Sequence, residues 1–93
     1  MTTLSPIDPD TDFMDLEGLI CDAANMTDVL TNALHEHFSK APPKGGFLID
    51  ADDGHRLFFL ASMVIAMTDK ARDAYYVALK NEREAKEKRR PGR

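Results

Sequence analysis

The side chains best suited to catalysis or metal binding in this chain are three His and one Cys, and two of the histidines stand together in His35-Glu36-His37. A zinc-protease helix spaces its ligands as His-Glu-x-x-His, one turn apart on one face. Here that second ligand position is Ser39. Residues two apart on a helix turn to different faces, so His35 and His37 do not close on one ion. Histidines near a helix C-terminus are instead explained by the favourable field of the carbonyl end.

Asp50-Ala51-Asp52-Asp53-Gly54-His55 has the composition of a calcium loop. An EF-hand needs Gly at its sixth position and a bidentate Glu at its twelfth. Counted from Asp50, Gly54 falls fifth and Ala61 twelfth. Three carboxylates ahead of an apolar-periodic run suit a helix N-terminus better. Cys21 lies between Ile20 and Asp22, without the basic neighbour that activates a thiol nucleophile. A single Cys excludes an internal disulfide and a Cys-based zinc site. Gly45-Gly46 follow Lys44 without the spacing of a phosphate-binding loop. The expectation is a non-enzymatic protein with no catalytic residue, cofactor or metal.

The elements that carry these residues are legible from periodicity. Residues 1–9 hold Pro6 and Pro9 and read as a flexible arm. Asp8-Pro9 suits a cap with a first-turn proline, and Thr11 or Asp12 offers a second cap, so a helix should start within 9–13. From Phe13 to Phe38 apolar residues recur at threes and fours: Leu16, Leu19, Ile20, Ala23, Met26, Leu30, Ala33 and Leu34. Pro42-Pro43 and Gly45-Gly46 end that helix. Phe47-Leu48-Ile49 is too short to pair as a strand and is expected to plug the end of the helix pair. Asp50 or Asp52 then caps a second helix, in which Leu57, Leu60, Val64, Met67, Ala71, Ala74 and Ala78 form an a/d series. The fold class is all-α: an antiparallel two-helix hairpin with helices at about 11–39 and 52–79, a connection at 40–51, and a basic helical extension and tail at 80–93. Glu82–Lys86 and Glu84–Lys88 are (i, i+4) pairs that support helix in the extension, and Pro91-Gly92 should end it.

His35-Glu36 on such a hairpin resembles the phosphoacceptor pair of the dimerisation domain of sensor histidine kinases, where an acidic residue follows the acceptor His. That family continues with an apolar residue, a basic residue and a nearby proline, whereas His37-Phe38-Ser39-Lys40 follows here. The likeness ends at the pair and no residue role is carried over.

Residues 57–67 read Leu-Phe-Phe-Leu-Ala-Ser-Met-Val-Ile-Ala-Met, apolar on every side of the helix. One neighbouring helix cannot cover all sides. Each large apolar side chain left in water forgoes about 1.5–3 kcal/mol, and several lie off the a/d seam. The expectation is a homodimer that pairs two hairpins into a four-helix bundle, with Phe58, Phe59, Ser62, Met63, Ile65 and Ala66 at the dimer interface.

The net charge of −4 conceals a split. Residues 1–79 carry five basic and thirteen acidic side chains, and residues 80–93 carry seven basic and three acidic ones. An acidic body argues against a generally basic nucleic-acid binder. The tail alone leaves that class open, through Lys80, Arg83, Lys86, Lys88, Arg89, Arg90 and Arg93. Tyr75 and Tyr76 precede the tail and do not interleave with it, which gives base stacking little support. The start of the chain lacks the features of a secretory signal, and the longest apolar run is shorter than the roughly 20 residues of a membrane span. A cytoplasmic location without membrane attachment is expected. The overall reading is a small intracellular interaction or regulatory protein acting as a homodimer, with a nucleic-acid-binding dimer as the alternative.

Overall fold

The computed structural model describes residues 4–42 and 44–89. Among them, all regular structure is helical: a 3-10 turn Phe13–Asp15, helix α1 Leu16–Phe38 and helix α2 Ala51–Lys88. The helices pack against each other as a hairpin.

The first helix begins later than expected, for a local reason. Asp8 organises a turn ahead of it. Its side chain accepts from the Asp10 N–H at 2.8 Å, and its carbonyl accepts from the Thr11 N–H at 3.1 Å and the Thr11 hydroxyl at 2.6 Å. Pro9 therefore belongs to this turn and not to a helix. Asp12 and Asp15 then form a reciprocal box: each carboxylate accepts the other's backbone N–H at 3.0 Å. Tying residues three apart favours the tighter 3-10 turn, and α geometry follows from Leu16.

α1 ends at Phe38, and Gly45 and Gly46 turn the connection with φ of 99° and 104°. That left-handed region is open to glycine without steric cost. Phe47 packs edge-on against Phe38 with ring centroids 4.8 Å apart, and Ile49 is half-buried. Leu48 departs from the expected plug, being 95% exposed. Asp50 caps α2, its carboxylate accepting from the Asp53 N–H at 2.8 Å.

The expected seam is the observed one. Leu57, Leu60, Val64, Met67 and Ala71 are half-buried, and Ala74 and Ala78 fully buried. Leu16 is buried on α1, with Leu19, Ala23, Met26, Leu30 and Ala33 half-buried. Among the described residues only small side chains are completely enclosed, so the hairpin there has a seam and no thick core. Ile20, Leu34 and Phe38 belong to the same apolar series yet remain exposed. The apolar arc of α1 is wider than one neighbouring helix can cover.

Residues 4–9, expected as a flexible arm, have no regular structure and lie along the hairpin. Leu4 borders a dent shared with Leu19, Asp22, Met67 and Lys70. Thr11 is buried. The Asn81 amide donates to the carbonyls of Pro9 and Thr11, both at 2.9 Å. Asn81 is the next seam position after Ala78, so a polar residue on an apolar stripe finds its partners in the backbone of residues 4–12, the strap.

α2 has 38 residues against 23 in α1, which makes it longer by about 22 Å at 1.5 Å per residue. The surplus runs past the start of α1 as a charged overhang. The molecule is accordingly a rod of 75 × 24 × 17 Å.

Candidate interaction surfaces

Two regions of α2 carry the residues that sequence singled out, and they differ in every physical respect. The first is the apolar stretch. Phe58 is 75% exposed, Ile65 62% and Phe59 53%. Ser62, Met63 and Ala66 are half-buried. Phe58, Ser62 and Ala66 follow one another at four-residue spacing along the side of α2 turned away from α1, with Ile65 toward one flank of the seam and Phe59 and Met63 toward the other.

The flank of Phe58 and Ile65 continues onto α1. Phe13 on α1's side meets Tyr75 with ring centroids 6.0 Å apart, and Tyr75 meets Tyr76 at 5.4 Å. In an antiparallel pair of right-handed helices this side of α1 holds Ile20, Thr27, Thr31, Leu34 and Phe38. The Thr27 and Thr31 hydroxyls donate back to the carbonyls of Ala23 and Thr27 at 2.8 Å. Their hydroxyl protons are satisfied within the helix, so they add no unpaired donor to this surface. The resulting open face has no charged side chain between the levels of Phe58 and Thr68. The opposite face is partly covered, since the strap lies there over Leu19, Met67 and Lys70.

This α1 half of the surface escaped sequence reasoning. A signal was present: Ile20, Leu34 and Phe38 flank the seam on one side at helical spacing, with threonines and no charge between them.

Exposed area gives the scale of what is uncovered. The chain exposes 7580 Å², whereas a compact monomer of its mass exposes about 5,400 Å². Its radius of gyration is 19.8 Å, against about 12 Å for a compact chain of this length.

The second region is the overhang. Lys80, Arg83, Lys86, Lys88 and Arg89 are all exposed. Arg90 and Arg93, and the stop expected at Pro91-Gly92, lie outside the described residues. Lys86 pairs with Glu82 at 3.5 Å, while the pair expected between Glu84 and Lys88 is not formed. A shallow groove of ≈ 360 Å³ opens at the foot of the overhang, with Asp12, Phe13, Ala85, Lys86 and Arg89 among its walls. The capping carboxylate Asp12 thus stands beside two of the basic side chains.

The chemistry-bearing residues do not assemble. Among the described residues no three His, Cys, Asp or Glu side chains converge on a metal-sized site. His35 is exposed, and His37 is half-buried with its ring 6.2 Å from that of Phe38. Asp50 is engaged in capping and Asp53 in an ion pair with Arg56 at 3.0 Å. Cys21 is exposed, because it sits on the side of α1 turned away from α2. No helix among the described residues is long and apolar enough to cross a membrane.

No family model, curated protein or solved structure matches this chain.

Proposed function

We propose that this chain is a small non-enzymatic interaction or regulatory protein of the cytoplasm that works as a homodimeric helical bundle. The observation that carries this reading is the row of large apolar side chains left in water along the hairpin, foremost Phe58 and Ile65. Covering such residues is worth about 1.5–3 kcal/mol each, and contiguous apolar patches of this kind mark interaction sites in soluble proteins. Two hairpins stacked through these faces bury them in one step and leave the charged outer faces in water. Light scattering on the eluting protein at micromolar concentration should give twice the 10.4 kDa chain mass. Ile65→Asp should return the mass to that of one chain, with helicity retained. A wild-type species of one chain mass would sink the reading.

A second reading rests on the overhang. Five exposed basic side chains lie where α2 runs past the start of α1 and a polyanion can reach them. Three glutamates within the overhang and Asp12 at its foot reduce its positive field, which makes this the weaker reading. A mobility shift with mixed RNA and DNA at low salt tests it, and retention of the shift after removal of residues 80–93 would exclude the tail as its cause.

A further inference from the structure

The dimer reading leaves open which faces meet and in which direction. We infer that two copies join through the strap-free face and run antiparallel, so that the Leu48 corner of each copy covers the Tyr75-Tyr76 region of the other. This rests on the dimer reading and deepens it.

The face is selected by what already covers the other one. Leu4 borders the same surface dents as Lys70, which is about 140° round α2 from Ile65. A second copy approaching on that side meets the strap first. On the Ile65 side nothing intervenes, and the surface across both helices is uncharged from Phe58 to Thr68. The area also suffices. The chain exposes 7580 Å², roughly 2,000 Å² beyond a compact monomer of its mass. A standard interface removes only about 800 Å² from each partner.

Direction is selected by charge and by the two ends of the apolar face. Phe47 and Leu48 form one end, and Phe13, Tyr75 and Tyr76 form the other. The midpoint between these two ends falls level with Ser62 and Met63 of α2. Asp50 and Tyr76 lie on either side of that level at equal distances, about 20 Å each. A two-fold axis through the midpoint, across the helices, therefore stacks α2 on α2. It sets the 95%-exposed Leu48 of one copy over the Tyr76 ring of the other. It also brings the acidic start of α2, with Asp50, Asp52 and Asp53, between Arg72 and Lys80 of the second copy. The alternative two-fold axis runs along the helices. That arrangement sets acidic start against acidic start and basic overhang against basic overhang, and like charges brought together oppose association.

The test uses the full chain with Cys21→Ser, so that only introduced thiols react, and a short bis-maleimide as cross-linker. Leu48→Cys and Tyr76→Cys proteins are first shown by light scattering to be dimers when reduced. Mixed in equal amounts and allowed to exchange, they should cross-link to a two-chain product in about half of the material, the share that random pairing makes heterodimers, whereas Leu48→Cys alone should cross-link at least tenfold less. Ser62→Cys, near the axis and away from the ends, should cross-link to itself. Self-linkage of Leu48→Cys, or failure of both the mixed pair and Ser62→Cys in a protein that scatters as a dimer, overturns the antiparallel arrangement and leaves the dimer standing. If the Cys21→Ser parent scatters as one chain, the dimer reading falls and this inference falls with it.

Discussion

The two halves of α2 are one continuous helix held by different physics. From Leu57 to Met67 the helix is apolar all round and is satisfied on one side only. From Lys80 to Arg89 it is polar all round, with Asn81 and Ala85 as its half-buried positions. The first half can stand in water only at the cost of exposed phenylalanine and isoleucine. The second can stand in water because every exposed side chain prefers to be there, with local charge pairs adding about 0.3–0.5 kcal/mol each. The lesson is that helix length and helix packing are separable: α2 outruns its partner because its tip needs none.

That comparison predicts a gradient of sensitivity along the molecule. The largest effect within one chain should come where the helices touch most closely. Ala74→Leu places three extra carbons where no space exists, since Ala74 is 0% exposed. A cost of about 2–3 kcal/mol follows from overpacking, read as a fall in the thermal midpoint of the helical circular dichroism. A neutral outcome would show that the seam is looser than its small residues imply.

Asn81→Ala should come next, at about 1–2 kcal/mol, because it leaves the carbonyls of Pro9 and Thr11 without their donor. Amide exchange should quicken in residues 8–12 while α2 keeps its protection. If α2 frays as well, the strap supports the overhang and the two halves are less independent than described. Asp50→Ala should cost about 1 kcal/mol through loss of the cap on the apolar half, read by chemical denaturation. The smallest effect belongs to the overhang. Lys86→Gln removes the pair with Glu82 at 3.5 Å and should shift stability by no more than about 0.5 kcal/mol, further reduced by salt. A loss as large as that of Ala74→Leu would erase the distinction between the halves.

Much of this was legible in the residues. The seam follows from apolar spacing, and Asp50 and Asp12 are recognisable caps because short carboxylates ahead of an apolar run satisfy the free N–H groups. The strap was not legible. Its key acceptors are main-chain carbonyls about seventy residues away from Asn81 in sequence, and a carbonyl has no side-chain signature. The hint was Asn81 itself, an amide on an alanine stripe. Leu48 was misjudged for a related reason: three apolar residues in a row cannot all turn inward, and alternation sends the middle one out. The six residues expected at one interface spread round the outer side of α2 from one flank of the seam to the other, because an apolar run shows that burial is needed without showing from which side. The α1 half of the open face was missed because a helix wheel gives the width of an apolar arc, while only the partner's position shows how much of it is covered.

The outward position of Cys21 has a consequence for the handling of this molecule. Its thiol is exposed on the edge of α1 furthest from α2, so oxidation in air can weld two chains edge to edge. Such a pair has the mass of a dimer and none of its contacts. It dissolves on adding reductant, whereas an association through phenylalanine and isoleucine ignores reductant and yields to dilution. A disulfide-linked pair and the dimer proposed above would share one mass and are told apart by their opposite responses to thiols and to concentration.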